Sequence, residues 1–177
     1  RFAIYDNKII HDGFHIQTKH MLREKNTNMK LYNGLGTTVK KFNLNVNNFC
    51  NISMIEYENM IHCFGETGFP YEVDPLTKVT LGYSDLWNTP EYIKNLPYVP
   101  ISPHPIVEDG NVYNFSSLGW GLSIFSNNES HLIVHPHGNL YYSHDFCLTE
   151  NYWVFYLNKI NVELLKHETL IESIKFE

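Results

Sequence analysis

Asp109-Gly110 stands between His104-Pro105-Ile106-Val107-Glu108 and Asn111-Val112-Tyr113-Asn114-Phe115. An Asp-Gly pair accepts the two positive φ angles of a type I′ turn, whose twist matches that of the strands it joins. Flanked by apolar residues, it is a strong short-range hairpin signal and commits this stretch to antiparallel β-structure. The pattern recurs on both sides. Phe2 to Tyr5 and Ile9-Ile10 flank Asp6-Asn7-Lys8, and Ile52 to Tyr57 and Met60 to Phe64 flank Glu58-Asn59. Tyr71 to Asp74 and Lys78 to Gly82 flank Pro75-Leu76-Thr77. Gly121 to Phe125 and His131 to Val134 face each other across Ser126 to Glu129, and Leu140 to Tyr142 follows.

Between these hairpins the signals are weaker. Phe14 to Leu22 reads as a strand, Glu24 to Lys30 as a surface connection and Gly34-Leu35-Gly36-Thr37 as a tight turn. Asn43 to Asn51, rich in asparagine, suits a loop, and Leu86 to Pro100 is a loop broken by Pro90, Pro97 and Pro100. Thr149-Glu150-Asn151 reads as a turn leading into Tyr152 to Leu157, an unbroken apolar run that fits a strand buried on both faces. In the tail, Val162, Leu165 and Thr169, with Leu164, Ile171 and Ile174, have the spacing of a short C-terminal helix. Many short strands punctuated by turns mean a sandwich, a barrel or propeller blades, and periodicity does not choose among them.

Composition sets the remaining bounds. At 177 residues and 43% hydrophobic, the chain supports one core, so residues 1–177 are expected to be a single domain. A net charge of -6 with only 13 Lys and Arg argues against a nucleic-acid partner. No apolar run approaches the roughly 18 residues of a membrane-spanning helix, and no signal peptide opens the chain. Cys50, Cys63 and Cys147 form no close pair, so free thiols in a reducing, cytoplasmic compartment are expected. The chain begins at Arg1 rather than Met, which implies a removed start or a piece of something longer.

Ten histidines sort unevenly. His11, His15, His20 and His167 lie among polar residues and are expected to be exposed. His62 sits mid-strand beside Cys63, but one thiol and one imidazole do not make a zinc site. His131, His135 and His137 lie around a Gly/Asn turn and read as a solvated loop. His104 and His144 differ: each stands at the opening of a strand pair, so both could project toward a common centre. A satisfied core histidine is the alternative for His144. Neutral imidazole suits Fe, Zn, Cu and Ni alike, so the residues alone do not name a metal. Glu66, between Gly65 and Gly68, is a third candidate, because flexible backbone lets its carboxylate turn inward.

Three longer segments resemble a known family. Gly65-Glu66-Thr67-Gly68-Phe69-Pro70-Tyr71-Glu72-Val73-Asp74-Pro75-Leu76-Thr77 resembles the Glu-x-Gly-x-Pro-Tyr-x-x-Asp-Pro-x-Thr segment of the carotenoid cleavage oxygenases, which include the retinal pigment epithelium retinoid isomerase. His104 to Phe115 resembles that family's first iron-histidine segment. His144-Asp145-Phe146-Cys147-Leu148-Thr149-Glu150-Asn151-Tyr152 resembles its second, and Leu31 to Thr37 its early blade. The resemblance implies a seven-bladed β-propeller with axial Fe(2+) held by four histidines, three of them oriented by glutamates. It implies O2-dependent cleavage of a conjugated double bond in a carotenoid or apocarotenoid. On this basis His104 and His144 are the first two iron ligands, and Glu66 is a glutamate that orients one of them.

The match is also incomplete. The family's two further histidine segments lie downstream, yet only His167 follows His144, in a sequence that matches neither. A blade takes about 40–50 residues, so the expected fold is all-β and a partial propeller with a short C-terminal helix. The expected partners are substrate, O2 and a complementary chain completing the ring. Peripheral membrane contact is expected through Leu118 to Phe125 and the tail from Val162 to Ile174. Two other readings compete with the oxygenase: a truncated or split-gene product without metal or catalysis, and an unrelated β-sandwich binding module.

Overall fold

The computed structural model describes residues 2–5, 8–11, 13–29, 31, 48–66, 68–96, 101–118, 120–127, 129–134, 140–161 and 166–175. β1 (Phe2–Tyr5) and β2 (Lys8–His11) form a hairpin with Tyr5 opposite Lys8. Three four-stranded antiparallel sheets follow among the described residues. The first runs in order through β3 (Ser53–Tyr57), β4 (Met60–Phe64), β5 (Tyr71–Val73) and β6 (Thr80–Tyr83). The second does the same through β7 (Ile106–Glu108), β8 (Asn111–Ser117), β9 (Gly121–Ser126) and β10 (Glu129–Val134). The third is built on β13 (Tyr152–Asn161). β11 (Leu140–Tyr142) and β12 (Phe146–Leu148) pair with it, and so does β14 (Lys166–Lys175) along its whole length.

Turn chemistry sets the registers. Glu58 and Asn59 have φ of 49° and 64°, and Asp109 and Gly110 have 49° and 75°, so both two-residue loops are type I′. Asp74 accepts hydrogen bonds from the Thr77 hydroxyl and from the N–H groups of Leu76 and Thr77. Those bonds hold its carboxyl below the usual carboxylate range. The expected turn at Thr149 also forms: its N–H donates to the Tyr152 carbonyl at 2.9 Å.

The three sheets stack face to face like blades. Between the first and second lie Phe64, Trp87, Ile93, Ile101, Val112 and Phe125. Between the second and third lie Phe115, Leu122, Ile124, Phe146, Trp153, Phe155 and Leu157. Cross-strand register explains the division. Asn114 faces Phe125 and Phe115 faces Ile124, so alternate positions along β8 and β9 point to opposite neighbours. A third cluster of Cys50, Cys63, Tyr71 and Val73 packs under Ile16. Burial pushes its thiols up, Cys50 to about 12 and Cys63 to about 11.

Several local expectations give way to packing. Thr18 caps a helix α1 (Lys19–Thr27), accepting from the Met21 N–H, where a strand and then a surface connection are expected from sequence. Within Leu86 to Pro100 a short α2 (Glu91–Lys94) forms, and Trp87 and Ile93 are buried core residues. The tail is not a helix: Lys166–Lys175 is β14, because β13 offers a ten-residue edge that satisfies its backbone groups. A helix of that length is marginal alone, and pairing overrides the helical spacing. β13 itself alternates, with Trp153, Phe155 and Leu157 buried but Tyr152 and Tyr156 exposed, so only one of its faces is fully covered. Leu122, Ile124 and Phe125, expected at a membrane, are core, while Trp120 is exposed. No helix among the described residues is long and apolar enough to cross a membrane. The turn at Gly34 to Thr37, residues 43–47, Pro97, Pro100 and residues 162–165 lie outside the described residues.

Phe115 is fully buried and meets Phe146 and Phe155 edge-on, with centroids 5.4 Å and 5.1 Å away. Phe115→Ala is expected to cost about 3–5 kcal/mol. Tyr156→Ala, 54% exposed on the open face of β13, should cost below about 1 kcal/mol. Urea denaturation of both variants checks this; equal costs would mean that the second and third sheets do not pack as described.

Candidate functional site

His104 is positioned by its neighbours rather than by a strand, since it stands two residues ahead of β7. Pro103 and Pro105 fix their own φ angles and bias Ser102 and His104 toward extended backbone. Within Pro103-His104-Pro105 only His104 has an N–H, and it donates to Ser102 Oγ at 3.2 Å. Ser102 is in turn fixed by its N–H to the Phe115 carbonyl at 2.9 Å and by its carbonyl to Asn114 Nδ2 at 3.0 Å. Ser53 Oγ donates to the Pro103 carbonyl.

His144 lies between β11 and β12. The Ser143 N–H before it donates to Ser117 Oγ at 3.2 Å, and the Ser143 hydroxyl reaches the carbonyls of Asp145 and Tyr156. Asp145 accepts from the Phe146 N–H at 2.8 Å, an arrangement that starts β12. Glu66 sits on the loop between β4 and β5, which wraps the buried Asn48. Asn48 Nδ2 donates to the Phe69 carbonyl at 2.7 Å, and its Oδ1 accepts from the Cys50 N–H at 3.2 Å. A Cβ on Gly65 would lie 2.9 Å from both Asn48 Oδ1 and the Cys50 nitrogen, and Gly68 has φ of +80°. Both positions therefore require glycine for the loop to close on Asn48.

The structure brings all three candidate residues together. His104 Nε2 and His144 Nε2 are 3.2 Å apart, with ring centroids 5.0 Å apart and planes at 65°. On the other side of the His144 ring, Nδ1 is 3.6 Å from Glu66 Oε2 and 3.3 Å from the Tyr142 hydroxyl. His144 is half-exposed and the Glu66 side chain mostly covered. Two nitrogens bound to one cation at about 2.1 Å stand about 3.0 Å apart at a right angle and about 3.4 Å apart at a tetrahedral angle. The observed spacing falls between those values, so the pair fits as two donors to one cation. The alternative is a hydrogen bond from one protonated Nε2 to the other. Among the described residues no group of three or more His, Cys, Asp and Glu could hold a metal ion.

Of the other described histidines, His20 alone departs from the expected exposure. His15 and His131 are exposed. His20 is half-buried, and its Nδ1 accepts from the Asn48 N–H at 3.2 Å. His11, His135, His137 and His167 fall outside the side chains described. His62 is 4% exposed and away from the pair. Its Nε2–H donates to the Tyr57 carbonyl at 3.3 Å, so its Nδ1 accepts from the Ser84 hydroxyl at 2.8 Å. It is a satisfied core histidine. Sequence reasoning missed Ser102, Asn48 and Tyr142; the Ser-Pro-His-Pro run is the signal that could have pointed to Ser102.

Comparison with known proteins gives a consistent picture. The family model for the retinal pigment epithelial membrane protein matches residues 1–177. Among solved structures, an ACO/RPE65 chimera superposes at a TM-score of 0.64 with 17% identity, covering 91% of this chain and 43% of that one. The Pseudomonas brassicacearum lignostilbene dioxygenase gives 0.65 and 22% identity over 90% of this chain and 38% of that one. Cobalt-substituted Synechocystis ACO gives 0.60 and 16% identity over 91% and 43%. At these identities the likeness establishes the fold, an all-β part of a propeller, and the chain spans about two fifths of the structures it matches. No curated protein matches.

Burial holds His62 below the ordinary imidazole value, outweighing the Tyr57 carbonyl and the Glu72 and Glu58 carboxylates that act in the other direction. Below its ordinary value of about 6.5 the unfolded chain binds this proton and the folded chain resists it, so stability falls as pH falls. Urea midpoints compared at about pH 7.5 and about pH 5.5 should show that loss, and His62→Gln should reduce its slope. An unchanged slope would mean that His62 is not the group responsible.

Proposed function

The chain belongs to the retinal pigment epithelial membrane protein family, and from that premise we propose that it is the N-terminal part of an iron(II)-dependent dioxygenase acting on a carotenoid or apocarotenoid. The reaction is O2-dependent cleavage of a conjugated double bond to aldehyde or ketone products. The observation that carries this reading is the approach of His104 Nε2 to His144 Nε2 at 3.2 Å, with Glu66 behind His144. In this reading residues 1–177 are one incomplete domain supplying two of four histidine donors, and a further segment or complementary chain supplies the others.

Each histidine has a defined part. His104 and His144 offer Nε2 lone pairs to the cation. Iron(II), when bound, supplies a redox-active centre for dioxygen. His144 keeps its proton on Nδ1 and directs it to the Tyr142 hydroxyl at 3.3 Å, with the Glu66 carboxylate 3.6 Å away, which fixes the tautomer and the ring orientation. Glu66 also adds negative charge near a cation whose imidazole ligands are neutral. Of the stretch expected to meet a bilayer, Trp120 keeps a 42% exposed ring, so peripheral membrane contact rests on that side chain among the described residues.

Two donors leave most coordination positions to water, and such an open site holds Fe(II) poorly against metals higher in the affinity order. The isolated 177-residue chain is therefore expected to bind iron weakly and to lack cleavage activity. Tightly held, stoichiometric iron in the isolated chain would contradict this. In a preparation that supplies the rest of the propeller, His104→Ala and His144→Ala should each abolish O2-dependent cleavage. Glu66→Gln should reduce metal affinity or activity by about 10–100-fold. Equal tolerance of all three substitutions would remove these residues from the proposed centre.

A further inference from the structure

We propose that Ser102 is the positioning residue that sets the spacing of the two imidazoles. Its hydroxyl accepts from the His104 N–H at 3.2 Å and donates to the His144 carbonyl at 3.3 Å, so one oxygen bridges the backbones of both histidines. The two histidines are 40 residues apart in sequence, and one stands ahead of β7 while the other lies between β11 and β12. Nothing in either local segment fixes the distance between them.

Ser102 is suited to this because it cannot itself move. It is 4% exposed, its N–H is committed to Phe115 and its carbonyl to Asn114 Nδ2, and Asn114 is fully buried. Asn114 also accepts from the Phe115 N–H at 2.8 Å, which anchors the arrangement to β8. The other polar groups around the two histidines are held by different serines: the Pro103 carbonyl by Ser53, and the Ser143 N–H by Ser117. Ser102 alone among these contacts both histidine residues. Removing its oxygen leaves the His104 N–H and the His144 carbonyl to find separate partners, which loosens the two histidine segments relative to each other while the packed sheets stay in place. A misplacement of about 1 Å in a reacting group costs on the order of 100-fold.

This inference rests on the reading of the pair as metal donors only for its consequence, and two measurements keep the questions apart. The first needs no metal. With ring-labelled histidine, NMR of the 177-residue chain should give a through-space cross-peak between the His104 and His144 rings. Ser102→Ala should lose it, and Ser102→Thr, which keeps the hydroxyl, should retain it, with sheet amide shifts unchanged in both. If the alanine chain does not fold, Ser102→Cys takes its place and should weaken the cross-peak. Absence of the cross-peak in the parent overturns the proposal. So does a Ser102→Ala chain of lower urea midpoint that keeps the cross-peak, because Ser102 then supports the fold alone. The second measurement is a cobalt(II) titration, in which both rings of the parent should shift together and Ser102→Ala should bind about tenfold more weakly. A parent that keeps its cross-peak but shows no cobalt shift in either ring overturns the metal reading, while the role of Ser102 in placing the rings stands on the first measurement.

Discussion

The middle strands β8 and β9 of the sheet of β7 to β10 are covered on both faces, and the rest of the structure follows from that constraint. Phe125 and Val112 face the first sheet, Phe115, Leu122 and Ile124 face the third, and all five are buried. Strands buried on both sides hold their register, because a shift by one residue would exchange the sets facing each neighbour. Trp87 completes the first interface: it stacks on Phe125 at 5.5 Å and donates its indole N–H to the Val112 carbonyl at 2.9 Å. On the third sheet Phe146, Trp153 and Phe155 lie near parallel, and Phe115 of the second sheet meets Phe146 and Phe155 edge-on across the second interface. These contacts hold the sheets at a separation set by aromatic rings, and the entrances to β7 and β12 inherit it.

Buried polar groups then determine where the chain enters each sheet. Ser102, Asn114, Ser117, Ser143 and Asn48 are all 6% exposed or less, and each makes hydrogen bonds to backbone. A hydrogen bond of this kind contributes about 1 kcal/mol net, but a buried group left without its partner costs about 1–3 kcal/mol. The asymmetry makes these side chains better at rejecting wrong arrangements than at adding stability.

The exposure of His144 fits a site made at the ends of sheets. Its ring is held by its backbone and by Glu66 and Tyr142 rather than by enclosure, so donors from elsewhere can approach the same point. His62 shows the opposite design. Enclosed and bonded at both ring nitrogens, with burial holding it below the ordinary imidazole value, it serves the core.

Some features depend only on short-range chemistry, and the sequence by itself determined them. Glu58-Asn59 and Asp109-Gly110 tolerate positive φ, so they dictate type I′ hairpins wherever they stand. The motif resemblance singled out His104, His144 and Glu66 because those residues come with long, ordered neighbours. Tertiary structure decided what depends on a partner. The tail became β14 because β13 had an edge to fill, and Trp87 became core because two sheets left a gap of its size. Leu122 and Phe125 went to opposite interfaces for the same reason. The 3.2 Å approach of two imidazoles 40 residues apart also belongs to tertiary structure, since it is set by how sheets stack and by one serine between them. Local sequence encodes the turn, but only packing fixes the distance between two turns.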